Sequence, residues 1–266
     1  MQELLGIAGA GAIGSGLAAA ASRMGEVLLW ARSDRSAERA RSAVIKVCSK
    51  AKEDDLDPDR VRIVTGLDQL REATFLIEAV VEDHGSKASL LAELGGYADD
   101  HAVLATTTSS LSISELAHAT GHSERFVGLH VFNPVHRMKL VEVVFPHNAD
   151  PDTRARALAL CEALDKTPVE VPDIPGFVVN RLLFPYLFSA VDLLTDTGAS
   201  AEDVDRCMTL GAGMPMGPIA LLDFVGLDIA RAIGEAMDLA VPEKLLALVE
   251  AGALGRKSGR GFYNYD

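Results

Sequence analysis

Cysteine is scarce in this chain: three in 266 residues, at Cys48, Cys161 and Cys207. They are odd in number, far apart and without CxxC spacing, which excludes a disulfide framework or a cysteine-paired zinc site. Small thiols in a reducing, cytoplasmic compartment are the expectation. Cationic side chains are also few, 25 Lys and Arg against 38 Asp and Glu, for a net charge of -13. Such a surface repels a phosphate backbone, so nucleic acid is not an expected partner. An anionic ligand would need a local basic patch working against that field. Long apolar runs are missing too. The longest, near 182–194, is broken by Pro185 and Asp192, so no membrane span is expected. No positively charged segment precedes the first apolar run, so no leader is expected. No repeat or low-complexity segment is present.

What is there is ordinary globular sequence, 48% hydrophobic and 24% charged, long enough to bury a core without staples. Over the first two-thirds, short apolar runs alternate with helical stretches. The runs are 4–8, 27–30, 62–64, 75–80, 103–105, 126–131, 140–144 and 169–171. This alternation predicts an α/β fold with a doubly wound, mostly parallel sheet. After Pro172 the period changes: apolar residues recur at helical spacing through 178–194, 204–210 and 219–237. The expectation is a dinucleotide-binding domain over 1–172 and an all-helical domain over 173–266.

Gly9-Ala10-Gly11-Ala12-Ile13-Gly14 is a GxGxxG between an expected strand and an expected helix. The first glycine permits the tight turn, the second lets backbone approach a pyrophosphate, and the third lets helix and strand pack closely. A glycine-rich turn without a ligand is the bland alternative, and the flanking elements argue against it. An acid expected at the end of the second strand, to hold a ribose 2′-OH, is absent. Ala31-Arg32-Ser33 stands there, with Arg35 nearby. Loss of the carboxylate removes repulsion of a 2′-phosphate, and arginine can bind one bidentately. NADP(H) is therefore expected over NAD(H). Solvated arginines, with Asp34 serving the ribose, are the other reading.

His130 and Glu142 are polar residues inside apolar strands. A histidine oriented by a carboxylate is a general acid/base near neutral pH. Alone, His130 would read as a satisfied core histidine and Glu142 as the outward face of an edge strand. Together, downstream of a dinucleotide loop, they suggest a dyad. The hydroxyl cluster Thr106 to Ser110 follows a strand, where ligands bind in open α/β sheets, although it could equally cap the next helix. Asn180 is a lone polar residue in a helix entering the second domain.

As a set, these segments resemble the L-3-hydroxyacyl-CoA dehydrogenase family, including 3-hydroxybutyryl-CoA dehydrogenases. The resemblance also rests on Glu78 to Glu82 with Lys87, Gly128 to Pro134, Met138 to Val143, Pro175 to Leu183, Leu210 to Pro218 and Gly255 to Tyr263. It implies a Rossmann-like domain followed by a helical one, and a homodimer formed through the latter. It implies His130 as acid/base, Glu142 as its partner, and Ser109 and Asn180 near the substrate's reacting oxygen. Glu82, Lys87, Ser109 and Asn133 are implied to place the nicotinamide end of the cofactor. Lys46, Lys50 and Lys52 fall where the family meets the CoA tail, Lys50 being the best placed; a solvated helix face is the alternative. The sequence departs from the family at Ala31, at Thr107 where asparagine is usual, at His136-Arg137, and in a shortened stretch after Met237. No metal is implied. Other readings are a dehydrogenase of a free polar hydroxy acid, for which His136 and Arg137 would suit a carboxylate, a carrier-protein thioester as substrate, and a non-catalytic NADP(H) sensor.

Overall fold

The structure, a computed structural model, describes residues 3–51 and 55–265. Its contacts divide the chain into a unit ending at Ile174 and one beginning at Pro175. The expected boundary, between 172 and 173, lies two residues before this division. Asp173 belongs with the first unit because its carboxylate accepts from the backbone N–H groups of Ile113 and Ser114, at 2.9 Å each. It thereby satisfies donors at the start of a helix whose own N-cap is Ser112.

In the first unit the strands are β1 (Leu5–Ala8), β2 (Val27–Trp30), β3 (Val61–Val64), β4 (Phe75–Glu78), β5 (Val103–Thr106), β6 (Phe126–Val131), β7 (Leu140–Val144) and β8 (Thr167–Glu170). They form one sheet in the order β3-β2-β1-β4-β5-β6-β7-β8. Every neighbouring pair is parallel except β6 with β7. β1, β4 and β5 are buried throughout, as near-continuous apolar runs covered on both faces should be. The order reverses at β1, whose neighbours are β2 and β4. That is the switch point at which open α/β sheets bind ligands.

Helices α1 (Ala12–Ala21), α2 (Asp34–Ala51), α3 (His84–Tyr97), α4 (Ile113–Thr120) and α5 (Pro151–Ala163) complete this unit. α1 is built of small residues and is buried from Gly14 to Ala21, so it packs close to the sheet. α2 buries only Ala40 and Val44, leaving its charged face in solvent. Two strands differ from the sequence reading. β4 stops at Glu78 because the Val80 N–H turns to the Glu78 carboxylate (2.6 Å) instead of a neighbouring strand. The last strand starts at Thr167 and contains Pro168, which its position at the sheet edge allows.

The second unit is helical: α6 (Val179–Thr197), α7 (Ala201–Gly211), α8 (Pro218–Val225), α9 (Leu227–Ala236) and α10 (Glu243–Glu250). The apolar period through 219–237 is two helices, not one, because Gly226 adopts φ +104° between them. Two buried aspartates tie the unit together. Asp205 accepts from Ile219 N, Ala220 N and the Tyr263 hydroxyl. Asp223 accepts from Phe262 N, Tyr263 N and the Tyr265 hydroxyl, pinning the C-terminal segment. Among the described residues no helix is long and apolar enough to cross a membrane.

Candidate active site

The loop after β1 leads into a cleft of about 680 Å³ in the first unit, a volume suited to a cofactor-sized ligand. Its glycines differ in what they do. Gly9 has φ +136°, and an added Cβ would lie 2.3 Å from the Ala79 carbonyl oxygen. A Cβ on Gly14 would meet the Gly9 carbonyl oxygen at 1.8 Å, so helix and loop touch backbone to backbone. A Cβ on Gly11 would meet nothing within 4 Å. That open space lies in the cleft at the N-terminus of α1, where amide groups and the helix dipole favour a phosphate. The donor set and the space thus fit a dinucleotide pyrophosphate. Ala12 and Ile13 line the cleft with Gly9 and Gly11, whereas Gly14 serves packing.

At the end of β2 the cleft is lined by Trp30, Arg32, Ser36 and Arg39. Ala31 is buried, and its methyl group supplies no polar contact. Arg32 and Arg39 are exposed and make no ion pair with any described residue. Ser33 itself is not a wall of the cleft. Its hydroxyl lies 2.7 Å from that of Ser36 at the start of α2. Sequence reasoning found Arg32 but missed Ser36 and Arg39, which lie three residues apart on α2 and so share one helix face.

At the other end, beyond β4 and β5, the lining includes Val80, Glu82, Lys87, Thr107 and Ser109. Lys87 is only 1% exposed, and its ammonium bonds both oxygens of Glu78, at 2.9 and 3.0 Å. Glu78 is fully buried and also accepts from the Thr106 hydroxyl at 2.6 Å. A buried ammonium is costly unless paired in this way. At the edge of the cleft the Lys87 ammonium is thus committed to Glu78, a residue to which sequence reasoning gave no role. The signal was available: a glutamate closing an apolar strand, nine residues before a lysine. Glu82 is likewise engaged. Its Oε1 accepts from the Thr108 hydroxyl, Ser109 N, Ser110 N and the Ser110 hydroxyl, at 2.6 to 3.1 Å. The hydroxyl cluster is therefore fastened to Glu82, and this contact sets the position of Ser109.

His130 and Glu142 face each other across the antiparallel β6–β7 pair. The imidazole Nδ1 lies 2.7 Å from Glu142 Oε2, and both residues are almost fully buried. The Phe132 ring, two residues on and on the same face of the chain, packs at 4.5 Å between centroids. The pairing arises from register alone, since opposed residues of antiparallel strands share a side of the sheet. Chemically it is a carboxylate-oriented general acid/base.

Other expected site residues are not among those lining the cleft. Asn133 is exposed, precedes the cis peptide to Pro134 and does not line the cleft. Asn180 is the second residue of α6, in the second unit. Lys46 and Lys50 are exposed on α2, while Lys52 lies outside the described residues. Arg137 is exposed, and His136 lines a small cavity with Ala20, Arg23 and Lys166, away from the cleft.

The fold agrees with comparison to known proteins. Residues 4–174 match the model of the 3-hydroxyacyl-CoA dehydrogenase NAD binding domain, and residues 176–265 match the C-terminal domain of the same family. The chain belongs to the 3-hydroxyacyl-CoA dehydrogenase family. It is 39% identical to the 3-hydroxybutyryl-CoA dehydrogenase of Mycobacterium tuberculosis, over 99% of this chain and 98% of that one. It is 37% identical to the mitochondrial hydroxyacyl-coenzyme A dehydrogenase of Homo sapiens, over 97% and 90%. The solved (S)-3-hydroxybutyryl-CoA dehydrogenase of Ralstonia eutropha superposes with a TM-score of 0.92 at 34% identity, with all of both chains covered. As a 3-hydroxyacyl-CoA dehydrogenase by family, the chain is an oxidoreductase, and its first unit is a nicotinamide-cofactor domain.

Proposed function

We propose that this protein interconverts 3-hydroxyacyl-CoA and 3-ketoacyl-CoA thioesters, with His130 as the proton-transfer group and NADP(H) as the favoured cofactor. The observation that carries the reading is the buried His130–Glu142 pair in a chain that also holds a dinucleotide cleft. A nucleotide sensor has no need of a proton-transfer dyad. In the oxidation, His130 accepts the proton of the 3-hydroxyl. Glu142 commits Nδ1, so the transfer runs through Nε2, and the carboxylate stabilises the imidazolium that forms. The bound nicotinamide supplies the hydride acceptor in this direction and the donor in reverse. Protonated His130 returns the proton when the keto group is reduced. Ser109, held by Glu82, and Asn180 are the residues we assign to the reacting oxygen. Asn133 is assigned to the nicotinamide end on the family pattern alone.

The NADP(H) preference rests on Ala31, which supplies no carboxylate to repel a 2′-phosphate. It rests equally on Arg32 and Arg39, which lack ion-pair partners among the described residues and line the cleft in a chain of net charge -13. Lys50, exposed in the last turn of α2, is proposed to meet the phosphates of the CoA tail. A thioester is favoured over a free hydroxy acid because full-length relatives of this chain are named as 3-hydroxybutyryl-CoA dehydrogenases. Leu182, Leu210 and Phe224 are exposed on the helical unit, and we assign them to a homodimer interface. A cytoplasmic location suits the three free thiols. Initial rates with 3-hydroxybutyryl-CoA, the same acyl group on a carrier protein and free 3-hydroxybutyrate test the reading. It requires turnover of the CoA ester and fails if only the free acid reacts.

A further inference from the structure

The charged residues of the cleft fall at its two ends. Arg32 and Arg39 stand at the α2 end; Glu82 and Lys87 stand at the β4–β5 end. At that second end the count does not close to zero. Lys87 is shared between Glu78, at 2.9 Å, and Glu82, at 3.4 Å. The other groups on these carboxylates are backbone N–H groups and hydroxyls, which are neutral. Two carboxylates and one ammonium leave one negative charge. Glu78 is fully buried and takes the closer contacts of the ammonium, so the uncompensated charge resides mainly on Glu82, whose side chain is 37% exposed.

A dinucleotide whose pyrophosphate sits at the glycine loop extends one nucleoside toward β2 and the other toward β4 and β5. The β4–β5 end therefore receives the nicotinamide. The two redox forms of that ring differ by one positive charge at the ring itself. We propose that the Glu78–Lys87–Glu82 cluster discriminates the redox state of the bound cofactor, its unbalanced carboxylate strengthening binding of the oxidised, cationic ring relative to the neutral reduced ring. This assignment rests on the nicotinamide-cofactor reading above. Its consequence is a larger oxidised share of bound cofactor than an uncharged pocket would hold, which favours removal of hydride from the hydroxyacyl substrate.

Glu82→Gln tests it. Glutamine keeps a carbonyl oxygen to accept from the Ser109 loop but removes the charge. The measurement is the dissociation constant of NADP⁺ and of NADPH, each by calorimetric titration without substrate. Removing a unit charge that faces a cationic ring in a site open to solvent is worth about tenfold. The ratio of the oxidised to the reduced dissociation constant is therefore expected to rise by about tenfold in Glu82→Gln. In Glu82→Asp, which keeps the charge on a shorter arm, the ratio should stay at the wild-type value. A displaced Ser109 loop would weaken both forms together, so the ratio isolates the charge. A Glu82→Gln ratio equal to wild type overturns the inference, whether both affinities hold or both fall. Failure of the wild type to bind either form, with NAD⁺ and NADH tried as well, overturns the cofactor reading itself.

Discussion

His130 stands directly opposite Glu142 on the neighbouring antiparallel strand, Nδ1 to Oε2 2.7 Å, and the two are 3% and 1% exposed. So deep a carboxylate has to be hydrogen-bonded, because a buried charge without a partner is costly. The strand register thus does two things at once. It satisfies the core, and it fixes the imidazole for proton transfer.

Glu142→Gln is accordingly expected to fold, since the amide oxygen can still accept from Nδ1–H, and to lose turnover. The lost interaction is a charge-assisted hydrogen bond to the imidazolium, worth about 1.5–3 kcal/mol, so kcat should fall roughly 10- to 150-fold. Affinity for the cofactor, measured by titration, should remain. A variant with normal kcat would show that the carboxylate is structural only.

Cofactor choice turns on the end of β2. Ala31→Asp would supply an acceptor for a ribose 2′-OH and repel a 2′-phosphate, reversing the preference toward NAD(H). Arg32→Ala should weaken NADPH binding by about 10- to 150-fold, the worth of a charge-assisted contact, and leave NADH nearly unaffected. Values of kcat/KM for both cofactors on the wild type and the two variants check this. A wild type favouring NADH contradicts it.

Much of this was legible in the sequence, because the signals were local or periodic. The alternation of apolar runs with helices gave the doubly wound sheet, and GxGxxG carries its own mechanism in residue order. The dyad could be read because two polar residues interrupted two apolar strands. Glu78 had a local signal in Lys87 nine residues on, but its other partner, Thr106, comes from β5, a contact that residue order does not show. Arg39 and Ser36 escaped because the dinucleotide pattern is defined at the strand end, whereas the helix starting there repeats its cleft-facing side every three to four residues. The break at Gly226 was hidden because the apolar period runs on through a glycine that only its positive φ reveals as a hinge between helices.

The thiols offer a pH test. Burial pushes the Cys161 thiol up to about 12, with Glu162 adding to the effect. At pH 8 its thiolate fraction is then on the order of one in ten thousand, and the thiolate is the reactive form. Labelling the native protein with a thiol reagent at that pH, followed by peptide mapping, should leave Cys161 unmodified until denaturant is added. Rapid labelling of native Cys161 would contradict the packing of α5 against the sheet.

The most direct test of the central claim compares wild type with His130→Gln in the reduction of 3-ketobutyryl-CoA, followed by loss of reduced nicotinamide absorbance. Acid/base catalysis by a placed side chain supplies about 10²–10⁴-fold, so the variant should turn over slower by that factor. Its affinity for NADPH should be that of the wild type, since His130 does not line the dinucleotide cleft. Near-normal turnover in His130→Gln, or no turnover of the thioester by the wild type with either cofactor, would contradict the account.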